Sequence, residues 1–452
     1  MAITGREAAN QVLRLANPAK SPIAPVLDKY LAQTLQKAQC KDLVLGTLRH
    51  RMVIDSIIQA FANCPVRRIS NTVLAILRPA VYELVFCPVT PVYALVNEAV
   101  ALGRKHTGRK QSGFINAVLR SIDRQIRVRH TDILSSNTRA TVPVGEKYGC
   151  IFKEDFLPNP DKEPVAYMSQ AYSLPAWLIK SWYKTHGLNN TRALAKASNR
   201  KPSLYLRANL LKTTAQDLAF AFKKEELDVE CHKGLLRVQG AGDVTQLPGF
   251  DLGWFVVQDM AAYHVVETLN PQPDWHILDL CAAPGTKTTH LAEHTQNQAK
   301  IIATDIQPDR LGRLQENIDR LGHTSIEIID YKSIDQHVQD NGLFDAILLD
   351  VPCSNTGVIA KRSELRYRLQ PKNISALCTI QKDILKISLK WLALQGTLCY
   401  STCSIEPQEN ENQIQSFLAN HTNLTLKTQR TTLPTAQHPD HDGSFVAVME
   451  SD

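Results

Sequence analysis

Two cysteines in polar loops, Cys353 in LLDVPCSNTG and Cys403 in LCYSTCSIEP, are the residues of this 452-residue chain best suited to nucleophilic chemistry. Each lies just past a short apolar run, FDAILLD (344–350) for the first and GTLCYST (396–402) for the second. Lone cysteines are usually small buried fillers. These two stand between Pro and Ser and between Thr and Ser, where helix ends and cations favour the thiolate. A third stretch, ILDLCAAPGTKTTHL (277–291), reads as a strand, a tight small-residue loop and a helix. Ala282, Ala283 and Gly285 leave room for a ligand against the backbone. The helix that follows offers free N–H groups and a positive dipole end. The Walker pattern G-x-x-x-x-G-K-[ST] is absent. Asp305 ends the next strand, about 20 residues on, where an acid accepts hydrogen bonds from both hydroxyls of a ribose. Asp330 and Asp350 end the third and fourth strands. Singly, each of these acids reads best as a cap or polar strand end; three on one sheet edge point to a ligand. Cys281 and Cys399, beside or inside strands, read as fillers.

Two thiols beside a nucleoside cofactor suit one kind of reaction. C5 of cytosine is a poor nucleophile, but a thiolate adding to C6 makes C5 electron-rich enough to attack an electrophilic methyl group. A base must then take the C5 proton so that the thiol can leave, which splits one hard step into easier ones. An acid at the N3/N4 edge of the base would stabilise the charge that develops.

The elements that must position these groups fall into a series. Residues 6–16, 41–62, 69–86, 92–106 and 112–128 have the three- and four-residue apolar spacing of amphipathic helices, separated by Pro65, Pro88, Pro91 and Gly108. They predict an all-helical bundle over 1–130. Residues 131–165, polar and with four prolines, show no sustained period and read as a linker. A helix at 173–201, strands at 203–210 and 234–239 and a helix at 213–227 predict a small α/β subdomain over 166–240. From 241 to 452 strands at 276–280, 300–306, 325–330, 344–350 and 396–402 alternate with helices at 285–294, 308–321, 373–394 and 407–420. That rhythm predicts a doubly wound, Rossmann-like α/β domain with its ligand at the carboxyl ends of the strands.

Charge separates the parts. Residues 1–130 hold 19 Lys and Arg against 7 Asp and Glu, a balance of +12, while the remaining 32 and 37 give −5. A basic domain joined to a mildly acidic one predicts contact with a polyanion. The basic residues at 67–68, 104–105, 109–110 and 120–129 have few aromatics among them, so phosphate contact is expected rather than base stacking. The ten cysteines form no C-x-x-C pair and no zinc spacing. No metal site or disulfide framework is expected. No run approaches the roughly 18 apolar residues of a membrane span, and the N-terminus lacks the pattern of an export signal. A cytoplasmic monomer is expected.

DLCAAPGTKTTHL, LLDVPCSNTGV, YSTCS followed by IEPQEN, and Gln258-Asp259 resemble the motifs of the RNA cytosine-C5 methyltransferases, nearest in layout to the bacterial small-subunit ribosomal RNA enzymes of that family. RPAVYELVF, VNEAVALGRK and SGFINAVLRSI resemble NusB-like RNA-binding domains. The likeness covers most of the chain outside 131–165. It implies S-adenosyl-L-methionine as cofactor and small-subunit (16S) ribosomal RNA as partner. It also implies Cys403 as nucleophile and Cys353 as the residue that assists proton removal and product release. Cys281, Ala282, Ala283, Pro284, Gly285, Thr286 and Lys287 would form the cofactor loop, with Lys287 facing the site. Asp305 would hold the ribose, Asp330 would lie beside the adenine and Asp350 near the reacting groups. On this account Cys281 lines the loop rather than filling space. Thr286 stands where the family usually has a second Gly, and Ser363, in a stretch expected to touch RNA, where it often has Pro. A transfer RNA or other RNA substrate, and a non-catalytic RNA-binding assembly factor, remain as alternatives.

Overall fold

The computed structural model describes residues 2–133 and 138–452. The chain divides into two compact units, one of Met1–Lys201 with Ile359–Leu369 and Ala436–His438, the other of Pro202–Val358, Gln370–Thr435 and Pro439–Asp452.

The first unit opens with seven helices: α1 (Gly5–Leu15), α2 (Ala24–Leu31), α3 (Lys37–Arg49), α4 (Arg51–Phe61), α5 (Asn71–Phe86), α6 (Val92–Thr107) and α7 (Arg109–Gln125). α5 is buried almost continuously from Val73 to Val85, as suits a helix apolar on all sides at the centre of a bundle. Ser70 starts it, its hydroxyl accepting from the Val73 N–H. The expected single helix over 41–62 is instead α3 and α4, broken at His50 (φ −113°, ψ 14°), whose ring stacks on Phe86 at 3.9 Å. The short α2 buries only Leu27, too little apolar spacing to register in the sequence.

The polar stretch expected to be a linker at 131–165 departs further. Residues 134–137 of it lie outside the described residues. Around them β1 (Ile126–Asp132), β2 (Thr141–Pro143) and β3 (Tyr148–Phe152) form an antiparallel sheet in the order β1-β3-β2. Its strands are short, and β1 slips register twice, so no alternation is visible. Arg129 ties it to the bundle: the guanidinium donates to the carbonyls of Glu83 and Leu84 in the last turn of α5 and of Cys87 and Thr90 in the loop that follows. Helices α8 (Pro164–Ala171) and α9 (Ala176–Asn199) also belong to this unit, α9 being interrupted at Gly187 (φ 74°). The segment 359–369 returns to the same unit through Arg366. Its guanidinium donates to the carbonyls of Arg49 and Ser198 and to Asn199 Oδ1. Ser363, expected in an RNA-facing stretch, is 1% exposed, whereas its neighbours Lys361 and Arg362 are exposed.

The second unit carries two sheets. The smaller is antiparallel in the order β5-β6-β4-β7, from β4 (Leu204–Ala208), β5 (Asp228–His232), β6 (Leu235–Gln239) and β7 (Phe255–Val257), with α10 (Ala215–Lys224) against it. Because β7 pairs with β4, this subdomain runs past the boundary expected at 240. The larger has the order β10-β9-β8-β11-β12-β14-β13. Its strands are β8 (His276–Asp279), β9 (Lys300–Ala303), β10 (Ile326–Ile328), β11 (Phe344–Asp350), β12 (Leu392–Thr402), β13 (Leu424–Thr432) and β14 (Ser444–Ser451). The first five are mutually parallel and β14 runs antiparallel between β12 and β13. Helices α11 (Met260–Leu269), α12 (Thr286–His294), α13 (Leu311–Leu321), α14 (Ile334–Asn341), α15 (Pro371–Ser388) and α16 (Glu411–Leu418) complete the unit. Two apolar layers enclose the sheet, one around Leu278, Ile347, Leu398 and Phe445, the other around Ile277, Leu348, Val446 and Leu291. Strand order reverses between β8 and β11, so the loops that follow these two strands part there and leave a crevice for a ligand. Among the described residues no helix is long and apolar enough to cross a membrane.

Candidate active site

The reversal point is flanked by the loops that the sequence singled out. After β8 the chain makes a tight turn in which Ala282 and Ala283 are nearly buried and Gly285 takes φ 102°. A Cβ on Gly285 would lie 2.4 Å from Leu314 Cδ1 of α13, so the turn closes only on glycine. α12 begins at Thr286 with no side-chain cap, leaving its first N–H groups for a ligand. Thr286 is half-buried, and its carbonyl accepts from Arg207 at 3.1 Å. Arg207, on β4, also grips Glu293 of α12 with two bonds of 2.7 and 2.8 Å, fixing the helix that carries the loop. Pro284 is exposed at the tip.

Asp305 lies past the end of β9, 3% exposed, accepting from the Gln307 N–H at 2.9 Å and from Arg310 at 3.1 Å. The same Arg310 donates to the Ala283 carbonyl at 2.8 Å, so acid and loop are joined by one half-exposed side chain. Asp330 is exposed and caps the turn after β10 through the Lys332 N–H at 2.8 Å. Asp350 ends β11. It accepts from Ser401 at 2.9 Å and pairs with Lys287 Nζ at 2.6 Å. Burial pulls Lys287 down, but the Asp350 charge and hydrogen bond outweigh it and hold the ammonium above the ordinary lysine value. Beneath the loop, Asp279 accepts from the Thr288 hydroxyl at 2.7 Å, while its Oδ1 has no partner. Burial pushes this carboxyl up to about 7 against the Thr288 bond. Cys281 is half-buried, its thiol pushed up by burial and then by Asp279, Asp350 and Asp305. Cys399, pushed up to about 12 by burial in the sheet, is the inert filler expected.

Adjacent parallel strands β11 and β12 are in register at Asp350 and Ser401. Their loops therefore leave the sheet at one level, and Cys353 Sγ lies 3.2 Å from Cys403 Sγ. The Cys403 thiol also donates to Asn355 Oδ1 at 3.1 Å, and Asn355 in turn donates to the Cys353 carbonyl at 2.7 Å. The hydrogen bond with Cys403 and then burial push the Cys353 thiol well above its ordinary value. The structure thus brings together Cys353, Cys403, Asp350 and Lys287, and sets Cys281–Lys287 and Asp305 along the neighbouring strand ends. It leaves Asp330 at the surface as a cap. Asn355, Asp279 and Arg207 were not singled out in the sequence. Asn355 stands two residues past a cysteine already named, inside the quoted motif. Arg207 carried no local signal, because its partners come from α12 and from Gln258, 51 residues on.

A cofactor with a ribose and a charged amino-acid end fits these residues. The loop leaves its backbone open, α12 presents free donors, and Asp305 retains lone pairs beside an Arg310 arm exposed enough to yield. The fold and this loop define a Rossmann-like domain shaped for a nucleoside cofactor, in a chain that also carries a helical bundle.

Family comparison narrows the class. The model of the 16S rRNA methyltransferase RsmB/F family matches residues 266–448, that of the NusB family residues 4–124, and the RsmF/B-like ferredoxin-like domain residues 174–245. The probable ribosomal RNA small subunit methyltransferase B of Synechocystis is 33% identical across 99% of both chains. The ribosomal RNA small subunit methyltransferase B of Proteus mirabilis is 32% identical over 95% of this chain and 93% of its own. Among solved structures, that of PH0851 matches with TM-score 0.76 and 23% identity over 99% of this chain and 98% of its own. NSun6 from Pyrococcus horikoshii, solved with SFG, gives 0.55 and 22% over 61% of this chain and 98% of its own. The chain belongs to the RsmB/F family of 16S rRNA methyltransferases.

Proposed function

We propose that this protein methylates C5 of a cytosine in small-subunit ribosomal RNA through a covalent bond between Cys403 and C6 of the base. The observation that carries this reading is the 3.2 Å approach of Cys353 and Cys403 beside the Lys287–Asp350 pair. S-adenosylmethionine supplies an electrophilic methyl group. Cys403 gives up its thiol proton to water and its sulfur adds to C6; the electron pair of the C5–C6 double bond moves to C5, which takes the methyl as the bond from that methyl to the cofactor's sulfur breaks and its electrons stay on that sulfur. Asp350 accepts from the N4 amino group of the base, and the Lys287 ammonium paired with it at 2.6 Å supplies the positive charge that steadies the electron density developing at N3. Cys353, with its sulfur 3.2 Å from that of Cys403, is placed to take the C5 proton once its own thiol proton has passed to water. Loss of that proton restores the double bond as the C6–S bond breaks and Cys403 leaves. The basic helical domain holds the RNA by its phosphates.

The test uses S-adenosylmethionine carrying a labelled methyl group and RNA lacking the modification. Wild type transfers label to one cytosine. Cys403→Ala loses transfer by at least about a thousandfold, in line with removal of a covalent nucleophile, while binding cofactor normally. Cys353→Ala accumulates a protein–RNA adduct that survives denaturing gels, because elimination stalls. Label in transfer RNA alone would move the substrate. No label in any RNA would leave a binding protein.

A further inference from the structure

Behind the thiol pair lies a carboxylate that the chemistry above does not use. Glu409 is 0% exposed, just before α16. Its Oε1 accepts from the Ser354 N–H at 2.8 Å and from Gln381 Nε2 at 3.0 Å. Its Oε2 accepts from the Ser354 and Ser404 hydroxyls, the latter at 2.6 Å. Ser354 and Ser404 follow Cys353 and Cys403 directly, and their hydroxyls also meet at 3.0 Å. Gln381 of α15 reaches the Pro352 carbonyl at 3.0 Å, the residue before Cys353. Four donors from two loops and a helix thus converge on one buried group, which is itself held by the Tyr400 hydroxyl on its carbonyl at 2.7 Å.

We infer that Glu409 is a positioning residue that sets the separation of the Cys353 and Cys403 sulfurs by clamping the serine after each. The physical reason is the charge of the acceptor. Hydrogen bonds to a carboxylate are shorter and about twice as strong as those to a neutral group, and burial raises the cost of leaving any of these donors unmet. A spring of that stiffness on each side fixes two loops that are joined past Val351 by a backbone bond from the Gly357 N–H to the Cys403 carbonyl, beyond both cysteines. The clamp's consequence for turnover rests on the thiol mechanism proposed above; its effect on thiol spacing does not.

The experiment reads spacing first. Diamide takes two electrons and two protons from a pair of thiols, leaving a disulfide and the corresponding hydrazine. In the full-length protein, Cys353–Cys403 disulfide formation is followed by peptide mapping and normalised to the rate at which iodoacetamide alkylates each thiol. Wild type crosslinks readily; Glu409→Ala does so at least tenfold more slowly, and Glu409→Gln, which keeps the shape and one acceptor oxygen, falls between. If the alanine variant does not fold, Ser354→Ala and Ser404→Ala each remove one arm and each slow the crosslink. In methyl transfer the same variants lose kcat by tenfold or more with KM for S-adenosylmethionine within twofold. Crosslinking of Glu409→Ala at the wild-type rate would overturn the clamp, whatever its activity. A slowed crosslink with wild-type turnover would uphold the clamp and instead count against the thiol mechanism.

Discussion

At the scale of single residues, the least comfortable group is Asp279. It is 1% exposed, and one of its oxygens is unpartnered. Burial, and after the opposing Thr288 bond the nearby Asp350 charge, lift its pKa from 3.8 to about 7. The folded state therefore binds the proton more tightly than the unfolded chain. The stability this contributes is present below about pH 4 and is lost as pH rises to about 7. Above that the carboxylate is ionised and costs on the order of a few kcal/mol, at roughly 1.4 kcal/mol per pKa unit. Asp279→Asn keeps an acceptor for Thr288 and never ionises. The variant is expected to match wild type near pH 4 and to melt progressively higher than wild type from pH 5 to pH 8. Thermal melts of both proteins at pH 5 and pH 8 check this; an equal difference at the two pH values would remove Asp279 as the cause. The bond from the Thr288 hydroxyl to Asp279 also ties the end of β8 to α12 across the turn of Cys281–Gly285.

At the scale of elements, the site is made by where loops leave the sheet. The loop after β11, the loop after β12 and the turn before β14 meet at Gly357. Its N–H donates to the Cys403 carbonyl at 3.0 Å, and its carbonyl accepts from the Gly443 N–H at 2.9 Å. A Cβ there would sit 2.5 Å from the Gly443 oxygen and 2.8 Å from the Cys403 oxygen, both backbone atoms that cannot rotate aside. Gly357→Ala should cost about 1–3 kcal/mol of stability. It should also push the Cys403 loop outward, lowering methyl transfer and the Cys353–Cys403 crosslink together while cofactor affinity holds. Calorimetry for S-adenosylmethionine beside a transfer assay checks it; unchanged transfer in a folded variant would show that the loop absorbs the methyl elsewhere. This element scale also marks what the sequence could tell. Strands β8 to β12 were legible because buried parallel strands are short apolar runs bounded by turn residues, and the loops that follow them carried the cysteines. The sheet at 126–152 was not, because β1 is mostly half-buried or exposed and slips register, and the sheet is held by Arg129 reaching the end of α5 and by Phe152 stacked on Phe61 of α4, contacts that no local pattern shows. Glu409 was visible only as a letter in IEPQEN: its meaning depends on Ser354, 55 residues away.

At the scale of the molecule, charge is the feature that no fold requirement explains. Arg109 and Lys110 occupy the first turn of α7 behind Gly108, where cations oppose the helix dipole at a cost of about 0.3–1 kcal/mol each. Arg104, at the end of α6, is favourably placed, and all three side chains are exposed. Basic residues kept at a helix start against the local electrostatics are explained if a polyanion meets them there. Replacing Arg104, Arg109 and Lys110 by Gln in the full-length protein should leave the fold intact, since none is buried and two of the changes relieve the helix dipole. Affinity for RNA should fall, and the slope of log affinity against log salt should shrink by about one for each phosphate no longer neutralised. Binding isotherms at several salt concentrations check both. An unchanged slope would mean that these cations face water, and that the +12 of the first 130 residues serves solubility rather than recognition.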